Sequence, residues 1–158
     1  AGITANAQKF ALIDMEYILK NIPAYQSASN ELNQVSKQWQ NEVEKLGKEA
    51  KSLYDSYQAS VKTLSDAQKT KKEEEIVAKE KSAAELRRKY FGPEGELFKK
   101  REALMQPIQD EIYEAVKAIS TQKGYAVVVD RASASSIIFA SPNIDISNEV
   151  LAKLGYSN

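Results

Sequence analysis

From Tyr25 to Leu64 an apolar residue recurs every three or four positions: Tyr25, Ala28, Leu32, Val35, Trp39, Val43, Leu46, Ala50, Leu53, Tyr57, Val61 and Leu64. The repeat averages about 3.55 residues, between the coiled-coil period and that of a straight helix. Pro23 suits a first helical turn. One helix from Pro23 to about Leu64 would be ~60 Å long at 1.5 Å per residue. A compact domain of 158 residues is only about 30 Å across. Such a helix cannot be wrapped into an ordinary core. It must project, and it must bury its stripe along a partner helix.

The partner follows directly. Ser65-Asp66-Ala67-Gln68 has the S-x-x-Q form of a capping box, so a new helix is expected to start at Ser65 after a reversal near Thr63–Ser65. Its opening, Asp66 to Ser82, holds five lysines, five acids and only four apolar residues, with no Gly or Pro. A helix this polar cannot line a core, but it can form the outer end of a hairpin standing in water. Apolar residues then thicken toward Tyr90 and Phe91. Gly92-Pro93-Glu94-Gly95 interrupts the helix. It resumes through Leu97, Phe98, Leu104, Met105, Ile108, Ile112, Val116 and Ile119, and Gly124 ends it. Reversal near residue 64 sets residue 24 beside residue 105, and the Gly-Pro break beside residues 34–37.

At the two ends of the chain the period changes. Lys9–Asp14 reads as a strand and Met15–Ile22 as a short helix. Tyr125–Asp130 and Ser136–Ala140 are short, β-branched runs, and they read as a strand pair joined by residues 131–135. In the closing segment Ser147 reads as a helix N-cap and Gly155 as the C′ stop. The fold class is α+β and mostly helical. A small β body (residues 8–22 and 106–158) joins strands from both chain ends, and a helical-hairpin arm (residues 23–105) has its tip near residues 63–70. Residues 1–7 read as a signal remnant or leader, because Ala5-Asn6-Ala7 fits the A-x-A cleavage pattern.

Composition excludes several kinds of chemistry. Without Cys or His there is no disulfide, no thiolate, no Ser/His/Asp site and no Cys- or His-ligated metal. Lys plus Arg and Asp plus Glu both number 22, so the formal net charge is zero. That gives no electrostatic ground for nucleic acid as a partner. No run reaches the ~20 apolar residues of a membrane-spanning helix, so stable membrane insertion is not expected. Two carboxylate groups remain as catalytic or metal-binding candidates. Glu73-Glu74-Glu75 is consecutive on a helix, so its side chains diverge, and a solvated face paired with lysines is expected. Asp14, Asp130 and Asp145 sit at strand ends, where aspartate satisfies backbone amides. No P-loop is present. No enzyme activity, cofactor or metal is expected.

Gly124, Tyr125, Val128, Val129 and Asp130, followed by Ile144, Asp145, Ile146, Val150 and Leu151, sit at places that match the C-terminal signature of the OmpH-like family of periplasmic chaperones. Residues 9–19 and Pro23-x-Tyr25 are similar to the family's N-terminal strand, short helix and descending helix. The resemblance extends over nearly the whole chain. It implies a jellyfish-like homotrimer whose arms enclose a cavity, and an ATP-independent holdase that keeps unfolded outer-membrane proteins there, in the periplasm. It implies a trimer body containing Phe10, Leu12, Val127, Val128, Val129, Ile137, Ile138 and Phe139. Familiar members are strongly basic and this chain is neutral, so no lipid site is carried over.

Within the arm, Tyr25, Trp39, Leu53 and Tyr57 lie on the seam and are expected to pack. Tyr54, Phe91 and Phe98 each adjoin a seam residue, so they are expected to face away from it and contact clients. Gly92, Pro93 and Gly95 are expected to act as a hinge. The competing reading is a structural coiled coil or assembly adaptor without chaperone activity. A prefoldin-like chaperone ranks lower, because its strands lie between its two helices and here they flank them.

Overall fold

The computed structural model describes residues 9–156. In chain order the elements are β1 (Lys9–Ile13), α1 (Met15–Lys20), α2 (Pro23–Ser60), a 3-10 turn (Val61–Thr63), α3 (Asp66–Phe91), α4 (Glu96–Lys123), β2 (Tyr125–Asp130), a 3-10 turn (Pro142–Ile144) and α5 (Ser147–Lys153). The proposed leader, residues 1–7, lies outside the described residues. The chain divides into two compact units: a mixed unit (the described parts of Ala1–Ser29 and Ala103–Asn158) and a hairpin unit, Asn30–Glu102.

In the hairpin unit the apolar stripe does what its period dictates. Leu32, Val43 and Ala50 are buried on α2 and Ile76 on α3. The register is fixed by cross-helix pairs. Trp39 stacks on Tyr90 with ring centroids 4.6 Å apart, Lys100 pairs with Glu31 at 3.0 Å and Lys79 with Glu49 at 3.0 Å. α2 ends at Ser60, slightly before the expected Leu64, because the last turn tightens to 3-10 geometry. Ser65 then caps α3. Its hydroxyl accepts from the Gln68 N–H at 3.2 Å, and the Gln68 carboxamide oxygen accepts from the Ser65 N–H at 2.9 Å. The capping box is complete.

The break between α3 and α4 is tight and hydrogen-bonded. The Gly92 N–H donates to the Arg88 carbonyl at 2.8 Å and the Gly95 N–H to the Gly92 carbonyl at 2.9 Å. A Cβ on Gly92 would lie 2.4 Å from the Arg88 carbonyl oxygen, and one on Gly95 would meet three carbonyl oxygens at 2.9–3.0 Å. Glycine is required here by close backbone approach. Between the two, Glu94 takes a positive φ of 56°.

The mixed unit is built on two parallel strands from opposite ends of the chain. Phe10 pairs with Val127, Ala11 with Val128, Leu12 with Val129 and Ile13 with Asp130, after a register shift at Lys9. Parallel pairing needs a long crossover, and here residues 14–124 supply it. α5 is tied in by a bridge between Leu12 and Asp145, with the Ile146 N–H donating to the Leu12 carbonyl at 2.8 Å. The core gathers Ala11, Ile18, Ile112, Ile119, Val150 and Leu151, with their neighbours. α4 passes through Pro107 without ending.

Two sequence expectations fail here. Ser136–Ala140 is not a strand, and β2 forms no hairpin with it. The Asp130 carboxylate instead folds the chain into turns, accepting from the Ala132 N–H at 3.0 Å and the Ser133 hydroxyl at 3.2 Å. Ile137 is half-buried, while Ile138 and Phe139 are 101% and 84% exposed. β-Branched composition signals a strand, but only pairing with an edge makes one, and this segment pairs with none. Ser147 is not an N-cap either. It is the first residue of α5, and its hydroxyl accepts from the Asp14 N–H at 2.8 Å, across 133 positions of sequence.

Candidate functional site

The strand-end aspartates hold backbone and are already occupied. Asp14 accepts from the Tyr17 N–H at 3.0 Å and so caps α1. Asp130 accepts from the Met15 N–H at 3.0 Å as well as from Ala132. Asp145 accepts from the Ser147 N–H at 2.9 Å and pairs with Arg131 at 3.4 Å. Partial burial pushes the Asp145 carboxyl upward, but the hydrogen bonds from Ser147 and the Arg131 charge outweigh it and leave the group below the usual carboxylate range. In the acidic run, Glu73 accepts from the Tyr57 phenol at 2.5 Å and Glu75 pairs with Lys72 at 3.7 Å. Among the described residues no group of three acidic side chains is placed to hold a metal ion.

The seam aromatics are likewise engaged. Trp39 is stacked, and the Tyr90 phenol donates to Glu42. These carboxylate partners raise the Tyr57 and Tyr90 phenols above their ordinary value, by hydrogen bonding first and by loss of hydration second. Leu53 is half-buried on the seam, whereas Tyr25 packs against the core of the mixed unit.

What remains free is apolar surface. In the hairpin unit Tyr54, Val77 and Phe98 are exposed large apolar groups. Two of the three residues picked from sequence, Tyr54 and Phe98, therefore do face away from the seam. The third, Phe91, is half-buried with its ring edge-on to Tyr90 at 6.3 Å. Tyr54 stands at a groove between α2 and α3, and the Gln58 carboxamide donates to its phenol oxygen at 2.7 Å. Phe98 lies on α4, outside that groove.

In the mixed unit Phe10 and Val127, register partners on β1 and β2, are 54% and 45% exposed. Leu12 is buried, and Val128 and Val129 are half-buried. A groove of about 400 Å³ runs between α4 and β2, lined by Ile112, Val116, Val127 and Val128 among others. Tyr113, 63% exposed, borders it. The sequence reading did not single out Tyr113 or Val77. For Tyr113 the signal was present: it stands one position off the buried row of Ile108, Ile112 and Ile119. The exposed groups are apolar side chains, and among the described residues the acidic side chains do not converge as a group of three.

Comparison with known proteins agrees with the geometry. Residues 9–154 match the family model described as Outer membrane protein (OmpH-like). The chain is 22% identical to the Chaperone protein Skp of Yersinia enterocolitica over 156 residues, covering 98% of this chain and 90% of that protein. It is 23% identical to the Chaperone protein Skp of Photorhabdus luminescens over 163 residues, covering 98% and 89% respectively. A crystal structure described as an outer membrane chaperone (OmpH-like) from Caulobacter crescentus superposes with a TM-score of 0.73 at 12% identity, over 98% of this chain and 88% of that one.

Proposed function

The chain belongs to the OmpH-like outer membrane protein family, and from that premise we propose that it is an ATP-independent holdase that keeps unfolded outer-membrane proteins from aggregating in the periplasm. The observation that carries this reading is the family match along residues 9–154, together with relatives named as chaperones over almost their whole length. The physical support is the surface. Scattered exposed aromatics such as Tyr54 and Phe98 give weak, plural contacts suited to many client sequences. The activity is binding, with no chemical step. Among the described residues no helix is long and apolar enough to cross a membrane.

The working form in this proposal is a homotrimer whose arms enclose the client. Two parallel strands make a meagre sheet, and an open strand edge invites pairing. Exposed Phe10, Val127, Ile138 and Phe139 are apolar surface that neighbouring copies would cover, with Leu12, Val128, Val129 and Ile137 behind them. Flexing at Gly92-Pro93-Gly95 lets the arms admit clients of different size. Pro93 has no N–H, so no helical hydrogen bond is donated at that position.

The test dilutes a urea-denatured β-barrel protein into buffer with the purified chain, without nucleotide, and follows light scattering. A holdase suppresses scattering in proportion to its concentration, whereas a structural adaptor leaves it unchanged. Sedimentation equilibrium at micromolar concentration gives the assembly, and a monomer mass would remove the trimer and its cavity.

A further inference from the structure

We propose that the groove beside Tyr54 is a subsite for aromatic side chains of the client, with Gly47 kept small to leave it open. The proposal rests on the holdase reading and specifies one place where contact is made.

The groove, about 640 Å³, lies within the hairpin unit between α2 and α3. Its floor is apolar and low: Val43, Ala50, Ala83 and Ala84. Tyr54, 45% exposed, forms one wall. Gly47 opens the groove on the α2 side. Glycine is the poorest helix former after proline, and Gly47 sits in the interior of a 38-residue helix. Nothing in the chain explains it, since a Cβ built there meets no atom within 4 Å. This contrasts with Gly92 and Gly95, where backbone crowds the site. A glycine with open space above it, exposed beside the seam residues Val43, Leu46 and Ala50, leaves room for a group from outside the chain.

Charge selects the kind of group. Lys48, Lys51 and Arg87 line the groove, against the carboxylates Glu44 and Glu80, so cations are in excess by three to two. Among the described residues none of the three cations holds an ion pair. An aliphatic side chain would bury against the floor and gain nothing from them. A cationic one would be repelled, and a carboxylate would meet the cations but lose its hydration against the apolar floor. An aromatic ring gains both, because its face is negative and attracts ammonium and guanidinium groups, and its edge can meet the Tyr54 ring. Strands of outer-membrane barrels carry aromatic girdles at both membrane interfaces, so unfolded clients present such rings.

The test uses the full purified chain and two fluorescein-labelled peptides, one alternating Tyr with Ser and the other alternating Leu with Ser. Binding is read by anisotropy. The parent chain is expected to prefer the Tyr peptide by about tenfold. Gly47→Leu fills the groove and should abolish that preference, while circular dichroism shows equal or higher thermal stability because leucine favours helix. Arg87→Gln, which leaves the groove open, should narrow the preference to roughly threefold. Parent and Gly47→Leu chains binding the Tyr peptide equally would overturn the subsite, as would a parent without preference. In the same samples, suppression of scattering by denatured barrel protein separates the two readings. If suppression persists without any aromatic preference, only the groove proposal falls. If the parent suppresses nothing, the holdase reading falls first.

Discussion

The hairpin unit and the mixed unit are held together by different kinds of contact. In the hairpin the partners follow from a rule applied at every turn: an apolar residue each three or four positions, with cross-helix pairs such as Trp39 with Tyr90 and Glu49 with Lys79 in one continuous register. In the mixed unit single contacts join distant positions. The Ser147 hydroxyl meets the Asp14 N–H, and Asp130 meets the Met15 N–H across 115 positions. The first design spreads its energy thinly over many half-buried pairs. The second concentrates it in a few residues that have no substitute.

That contrast predicts unequal sensitivity. Ile112, fully buried in the mixed core, should lose about 2–5 kcal/mol on replacement by alanine. Val43→Ala on the hairpin seam, also buried, removes fewer atoms and should cost about 1–2 kcal/mol. Urea unfolding of both variants measures the gap. Equal losses would mean that the hairpin seam is as concentrated as the mixed core.

Glycine provides the next test. Gly95→Ala drives a methyl against three carbonyl oxygens and should cost about 1–3 kcal/mol. Gly47→Ala, with nothing near it, should stabilise the helix by about 0.5–1 kcal/mol. Thermal melts of the two variants should move in opposite directions.

The two serines separate local from long-range bonding. Ser147→Ala leaves the Asp14 N–H without its acceptor and should cost about 1–3 kcal/mol. Ser65→Ala removes a cap whose partners are three residues away in solvent, at a cost of about 1 kcal/mol. A larger loss at Ser65 would reverse the ranking of the two regions.

How legible each region was follows from the same contrast. The hairpin register could be read because helical spacing and a capping box are both written within a few residues of where they act. The Gly92–Gly95 break was readable in position, but the carbonyl crowding at its glycines appears only in three dimensions. The parallel pairing of β1 with β2 depends on residues more than a hundred positions apart, so the sequence placed both strands without giving their register. Ile137–Phe139 carried the composition of a strand but no information on whether an edge awaited it. Ser147 looked like a cap because capping is the commonest local use of a serine before a helix, and its actual partner, Asp14, is remote in sequence. Of the surface residues, Tyr54 and Phe98 were recoverable from helical phase, whereas the groove beside Tyr54 required the partner helix.

The smallest expected effect is electrostatic. The Asp145 carboxyl is held below its ordinary range, so its charged form stabilises the mixed unit. That contribution is fully present above the unfolded-state pKa of about 3.9 and is lost as pH falls through the lower folded-state value. Asp145→Asn should therefore lower stability at neutral pH and flatten the decline below about pH 4, by a modest amount because Arg131 is substantially exposed. Chemical denaturation at pH 7 and pH 3 measures both limbs.

The central claim is that this chain binds unfolded outer-membrane proteins without chemistry and without nucleotide. The most direct measurement isolates the complex. A denatured β-barrel protein carrying a tryptophan reporter is diluted into the chain, passed through a size-exclusion column, and read by fluorescence and far-ultraviolet circular dichroism. The account predicts co-elution, with the client still lacking barrel structure and released as folded protein when detergent micelles are added. A client that elutes alone as aggregate, or that folds to a barrel on the chaperone itself, would contradict it.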